Sequence, residues 1–240
     1  MPDDKAAAKR RRFYKVVDVA PEGAAFAVLL DGRKVKTPGR QDVVVATDAL
    51  AGAIAAEWDA QKDHIDPHSM PMTQIACTAI DRIPVDGKAV RETIAGYAGT
   101  DLVCYRADQP SDLVERQTAV WQPCLDWLEN ALGARLQTTT ALKAIDQDPA
   151  SLARIQVAVD ELDEHSLAAV AVLTQATGSF VLAWSVYAGH LTPDDATNAA
   201  QLDEHYQSSL WGLDREAEQR LANLRADVHA AAQYLALLRV

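Results

Sequence analysis

The chain has 240 residues, 49% of them hydrophobic, which is enough to bury one or two cores without disulfide or metal staples. Its formal net charge of −11 is unevenly placed: residues 1–90 carry 13 basic and 13 acidic side chains, residues 91–240 carry 10 and 21. Such a surface repels phosphate backbones and argues against nucleic-acid binding; the basic run Lys9, Arg10, Arg11 and Arg12 is too short for a binding stripe and reads as a solvated arm.

The opening MPDDKAAAKRRRF has no apolar core of an export signal. From Phe13 to Ala46 the runs FYKVVDV, AAFAVLL, RKVKTP and DVVVA read as antiparallel strands. Asp31-Gly32 joins the second to the third as a type I′ turn, whose two central residues need positive φ. Thr47 caps a helix over DALAGAIAAEWDAQ, with Asp48 in the first turn beside the unpaired N–H groups and Trp58 placed to pack the helix on the sheet. After the polar loop KDHIDPHSMP, helical spacing returns at Thr73 to Arg82 and again from about Lys88 to Tyr105. A domain boundary is expected at Pro84 to Lys88, giving a β-rich domain over 1–86 and an α-helical domain over 87–240.

Everything beyond reads helical. Ser111 is expected to cap a helix with Val114, Thr118, Trp121, Leu125, Leu128 and Leu132 at four-three spacing, which Pro123 should kink or restart. One helix is expected from Ser151 to Thr174 and another from Ser179 to Tyr187, punctuated by Gly178 and Gly189. The apolar stretch from Ser166 to Leu191 is broken by polar residues and reads as two buried helices, not a membrane span. Thr192-Pro193-Asp194-Asp195 starts a helix running to about Leu210. Asp214 caps the last helix, whose Ala217, Leu221, Leu224, Val228, Ala231, Leu235 and Leu238 mark one apolar face. The fold class is α+β: a small antiparallel sheet followed by a helical bundle.

Chemistry is sparse. His64 and His68 have an H-x-x-x-H spacing, but Pro67 prevents the regular helix that would aim both rings at one ion; His165, His190, His205 and His229 stand alone, so no metal or cofactor is expected. Cys77, Cys104 and Cys124 form neither a disulfide framework nor a zinc knuckle and read as buried small hydrophobes. No phosphate-binding glycine loop or nucleophile elbow occurs. The carboxylate pairs Glu57/Asp59, Asp163/Glu164, Asp194/Asp195 and Asp203/Glu204 are explained as caps and solvated faces. One helix is less bland: with Ala199, Leu202, Tyr206 and Leu210 as its apolar stripe, Glu204 and Trp211 share the opposite face. Trp211 there is either an exposed recognition residue or turns back at Gly212 into the core.

Several segments in order, RFYK at 12–15, LDGRKVKTP at 30–38, EWDAQ at 57–61, PMTQIACTAIDR at 71–82, TDLVCYRA at 100–107, LDEHYQ at 202–207 and WG at 211–212, resemble the assembly chaperones for the alpha subunit of the F-type ATP synthase catalytic head. The resemblance spans nearly the whole chain. It implies a β-rich N-terminal domain followed by an orthogonal helical bundle, and a non-enzymatic protein that shields the alpha subunit's beta-contacting surface before assembly. It implies an acidic partner-binding residue, placed on Glu204 in LDEHYQ with Asp203, Gln207 and Trp211 around it, and with Glu216 and Glu218 as alternatives. The absence of a mitochondrial presequence leads to a bacterial cytoplasm as the expected location, with a monomer as the free form. The rival readings are a general holdase or adaptor and a metal-dependent hydrolase built on His64, His68, Asp63 and Asp66.

Overall fold

A computed structural model describes residues 10–141, 143–212 and 214–240; Lys9 and the rest of the opening segment lie outside them. Internal contacts divide the chain into two compact units, Met1–Val85 with Gln233–Val240, and Asp86–Ala232.

In the first unit, β1 (Val17–Glu22), β2 (Ala25–Leu30), β3 (Arg33–Lys34) and β4 (Val44–Val45) make an antiparallel sheet. β2 pairs with β1 along its length, from Val17 opposite Leu30 to Glu22 opposite Ala25, and divides its other edge between β3 and β4. Asp31 (φ 48°) and Gly32 (φ 75°) supply the two positive φ values the turn requires. The Asp31 carboxylate accepts from the Val16 and Lys15 N–H groups, and these bonds hold its pKa below the ordinary value.

The last two strands are shorter than their apolar runs because the chain between them folds into a tip held by Asp81. That carboxylate accepts from the Thr37 hydroxyl and the Gly39 N–H, each at 2.7 Å. A Cβ on residue 39 would lie 2.6 Å from the Asp81 oxygen, so glycine permits this approach.

Helix α1 (Asp48–Asp59) is capped as expected: the Thr47 hydroxyl accepts from the Leu50 N–H at 3.1 Å and donates to the Leu237 carbonyl at 2.6 Å. Leu50, Ala51 and Ile54 are buried, and Trp58 meets Tyr14 edge-on at 5.7 Å. Arg12 departs from the solvated-arm expectation. Its guanidinium donates to the Asp59 and Gln61 carbonyls at and just past the end of α1, pairs with the Asp59 carboxylate at 3.2 Å and lies over the Tyr14 ring. The partial negative charge of a helix C-terminus attracts such a cation.

Glu57 caps the next helix, α2 (Pro71–Cys77), by accepting from the Met72 and Thr73 N–H groups and the Thr73 hydroxyl. A single π turn, Thr78–Arg82, leads straight into α3 (Ile83–Gly96), so the gap expected between Arg82 and Lys88 does not exist. The widened turn falls just ahead of Pro84, which has no N–H to contribute to a regular ladder. Helix α3 is also shorter than expected at its far end: 3₁₀ turns occupy Tyr97–Thr100 and Leu102–Cys104, because Asp101 turns extended and caps the second of them through the Val103 N–H.

In the second unit, α4 (Ser111–Leu132) begins with Ser111 as its first helical residue; the cap is Pro110, whose carbonyl accepts from Leu113 and Val114. Pro123 does not end the helix, since the Ala119 carbonyl it leaves without a donor lies on the exposed side. The single helix expected over 151–174 is two, α5 (Pro149–Asp160) and α6 (Glu164–Thr177), because the Asp163 side chain accepts from His165 and Ser166 N–H groups, both at 2.9 Å, and starts a new helix. Helix α6 ends at Gly178 (φ 66°), and α7 (Phe180–Tyr187) buries every residue from Phe180 to Val186. Helix α8 (Pro193–Ala200), capped by Thr192, is separate from α9 (Leu202–Trp211), the break being Gln201 at φ −100° and ψ 15°. Asp214 accepts from the Ala217 N–H at the start of α10 (Arg215–Leu237), whose expected apolar face buries Leu221, Val228, Ala231 and Leu235. Among the described residues no helix is long and apolar enough to cross a membrane.

Candidate functional site

Three hydrogen bonds lay the α8–α9 segment antiparallel along α4. The Trp121 indole donates to the Ala199 carbonyl, the Gln117 amide to the Asp203 carboxylate, both at 2.8 Å, and the Tyr206 hydroxyl to the Asp112 carboxylate at 2.9 Å. Each step forward along α9 is thus a step back along α4. Asp112 lies in the first turn of α4, so the last turn of α9 runs past the end of its support. Leu210 is 56% exposed and Trp211 79% exposed as a result, and Gly212 ends the helix with φ 80°.

Trp211 is therefore exposed and does not turn back into the core. Leu210, expected in the inward stripe with Ala199, Leu202 and Tyr206, is also outside. The expected stripe spans two helices, α8 and α9, and only Ala199 and Tyr206 of it are buried. The break at Gln201 lies in its dihedrals and has no signal in the sequence, since nothing in its type forbids a helix.

Glu204, Gln207 and Trp211 follow one another at three- and four-residue spacing on α9 and share a face. Asp203 points elsewhere, toward the Gln117 amide. Gln117 is buried and fully used: its Oε1 accepts from the Ala107 N–H at 2.8 Å, and its backbone carbonyl accepts from Arg106 at 2.7 Å. The Arg106 guanidinium lies 5.1 Å over the Trp121 ring, and burial pulls its pKa down. Its Nε and Nη2 are buried with no hydrogen-bond partner among the described residues. Asp203 is thus the outer end of a buried polar network that sequence spacing did not reveal.

Glu204 is 3.8 Å from Arg220 of α10, with side chains 42% and 54% exposed. A pair so exposed and so long contributes about 0–1 kcal/mol and is readily exchanged for another cation. Glu216 and Glu218 lie in the first turn of α10, both exposed.

The other candidates are engaged structurally. Asp163 caps α6, Glu57 caps α2, and Asp194 binds His229 at 3.0 Å and also Arg225. His64 and His68 are both exposed, and among the described residues no three His, Cys, Asp or Glu side chains come together to hold a metal ion. All three cysteines are free. Cys104 and Cys124 are buried, Cys77 half-buried, and burial pushes their thiols up to about 12, 11 and 11 respectively.

Comparison with known proteins agrees with this architecture. The family described as ATP12 chaperone protein matches residues 11–129. The mitochondrial protein atp12 of Schizosaccharomyces pombe is 26% identical over 221 residues, covering 87% of this chain and 76% of that protein. The crystal structure of Atp12 from Paracoccus denitrificans is 37% identical with a TM-score of 0.90, covering 96% of this chain and 99% of the other. An aspartate-to-lysine variant of the Paracoccus protein superposes with the same TM-score. A protein of known structure from Agrobacterium tumefaciens is 40% identical, again with a TM-score of 0.90, over 95% of this chain and 86% of that one.

Proposed function

The chain belongs to the ATP12 chaperone family, and from that premise we propose that it holds the unassembled alpha subunit of the F-type ATP synthase at the overhanging end of α9 and shields its beta-contacting surface. Membership makes the chain an assembly chaperone of ATP synthase; the alpha-subunit client, the contact residues, the monomeric free form and a bacterial cytoplasmic location are the finer reading. The family resemblance of LDEHYQ and WG supports it, and the observation that carries it is Trp211, 79% exposed beside exposed Leu210.

A large aromatic side chain that is mostly exposed loses little on being covered by a client, and such side chains dominate interface free energies. Glu204 supplies register: it exchanges Arg220 for a basic side chain of the client, and Gln207 adds a hydrogen bond between the two. Asp203 serves as a positioning residue by holding α9 on Gln117, and Glu216 extends the acidic rim. An anchor of one or two apolar side chains within a polar rim suits a complex that must later release its client. Binding without catalysis is the mode proposed.

Mixing the full chain with isolated alpha subunit and following light scattering tests this. Wild type should suppress aggregation; Trp211→Ala and Glu204→Lys should lose that suppression while their circular dichroism and melting stay native, because surface changes away from packed features alter stability by only about 0.5 kcal/mol. Absence of complex with folded wild type would overturn the reading. Equal protection of unrelated unfolded proteins would replace a dedicated chaperone with a general holdase.

A further inference from the structure

Much of the family resemblance has no place at α9. The family match ends at residue 129, well before that helix, and the segments at 30–38, 57–61 and 71–82 instead meet within the first unit around an open cleft of about 800 Å³. An adjoining cleft of about 480 Å³ is lined from the segment at 12–15 and shares Arg10, Lys36 and Trp58 with the first. Both volumes fall in the range of about 300–1,000 Å³ usual for ligand sites.

The cleft is built rather than incidental. Its floor is apolar, with Ile65 and Met70 buried and Trp58 and Cys77 half-buried. One wall, Lys36 to Pro38, is held by the Asp81 clamp on Thr37 and Gly39; the facing wall is closed by the Gln74 amide donating to the Pro67 carbonyl. The two threonine hydroxyls along these walls are already satisfied: that of Thr73 donates to Glu57 and that of Thr78 to the Gln74 carbonyl.

What remains for a ligand is the cations at the rim. Arg10 at the rim of both clefts and Arg33 at the second are exposed, and neither makes an ion pair among the described residues, Arg10 lying over the Phe13 ring; Lys36 pairs with Asp42 and Lys34 with Glu22. The neighbouring carboxylates are committed, Asp31 to backbone N–H groups, Asp81 to the clamp and Asp66, which lines the first cleft, to the His68 N–H. A cationic rim over an apolar floor, in a chain of net charge −11, calls for a ligand that is acidic and apolar together.

We propose that this cleft binds an extended segment of a partner protein in which apolar and acidic side chains alternate. An extended chain turns successive side chains to opposite sides, so one set reaches the floor while the other faces the cationic rim. The site is independent of the α9 surface.

Anisotropy of a fluorescein-labelled hexapeptide alternating leucine and glutamate, titrated with the full chain, tests the proposal against leucine–lysine and serine–glutamate hexapeptides. The leucine–glutamate peptide should bind about tenfold or more tighter than either control. Arg10→Glu and Lys36→Glu, both at exposed positions, should each weaken it severalfold, and Trp211→Ala should leave it unchanged. Cys77 gives a second readout: the bound peptide should slow its alkylation by maleimide, with Cys104 and Cys124 buried and unreactive. Equal binding of the lysine peptide, unaltered alkylation of Cys77, or no anisotropy change at about 1 mM natively folded protein would overturn it.

Discussion

Asp101 shows how burial and hydrogen bonding compete at one residue. Its wholly buried carboxylate accepts from the Ser179 hydroxyl at 2.6 Å and from the Val181 and Val103 N–H groups at 3.1 and 3.2 Å. Burial outweighs these donors and pushes the pKa up from 3.8 to about 6. The folded chain therefore keeps a proton that the unfolded chain releases between about pH 4 and pH 6, so this contribution to stability is full below pH 4 and is lost as pH rises to 6. At about 1.4 kcal/mol per pKa unit, the loss is on the order of 3 kcal/mol. Urea unfolding at intervals across that window should show wild type losing stability relative to Asp101→Asn as pH rises, and the Asp101 carboxyl carbon should titrate near pH 6 by NMR. Titration below pH 4 would contradict it. The segment TDLVCYRA contains this residue, but nothing in it foretold the burial, because an aspartate at the end of a helical pattern looks like any cap until Ser179 and Val181 are folded over it.

At the scale of elements, side-chain capping decided what periodicity could not. The apolar pattern runs through 151–174 without a fault, yet Asp163 and the hydroxyl of Ser166 stop one helix and begin another. The reverse holds at Pro123, where a residue that breaks helices sits inside one of 22 residues. Trp121, Cys124, Leu125 and Leu128 bury that helix on both sides of the proline, and packing outweighs the missing bond. Pro123→Ala restores an N–H for the Ala119 carbonyl and should stabilise the protein by about 1 kcal/mol, raising the melting temperature by about 2–4 °C. A fall in calorimetric melting temperature would show that the chain depends on proline's restricted φ there.

At the scale of the molecule, the contact division assigns Gln233–Val240 to the first unit although the helix carrying them begins in the second. Tyr234 and Leu235 are 0% and 3% exposed, and the Leu237 carbonyl receives the Thr47 hydroxyl at the start of α1. Ending the chain at Ala232 removes all three and should destabilise the first unit by about 3 kcal/mol or more, the range for losing a large buried side chain. Hydrogen exchange should then accelerate for amides of β2 and α1 while those of α6 and α7 keep their protection. Unchanged exchange in α1 would refute this role for the terminal segment.

The α+β class, the Asp31-Gly32 hairpin, the caps at Thr47, Thr192 and Asp214 and the family were all legible in the sequence, because each depends on residues adjacent in the chain or on segments recognisable in order. Trp211 stood out by its type, while its place before Gly212 left both exposure and a turn into the core open. Its exposure, and that of Leu210, was decided only when three hydrogen bonds to α4 fixed where α9 overruns its support. The cleft in the first unit likewise joins residues from 10 to 78 that no spacing relates. Capping and turn formation are local free-energy choices, whereas which side chain is left uncovered depends on where the neighbouring element stops, and that is set by long-range packing alone.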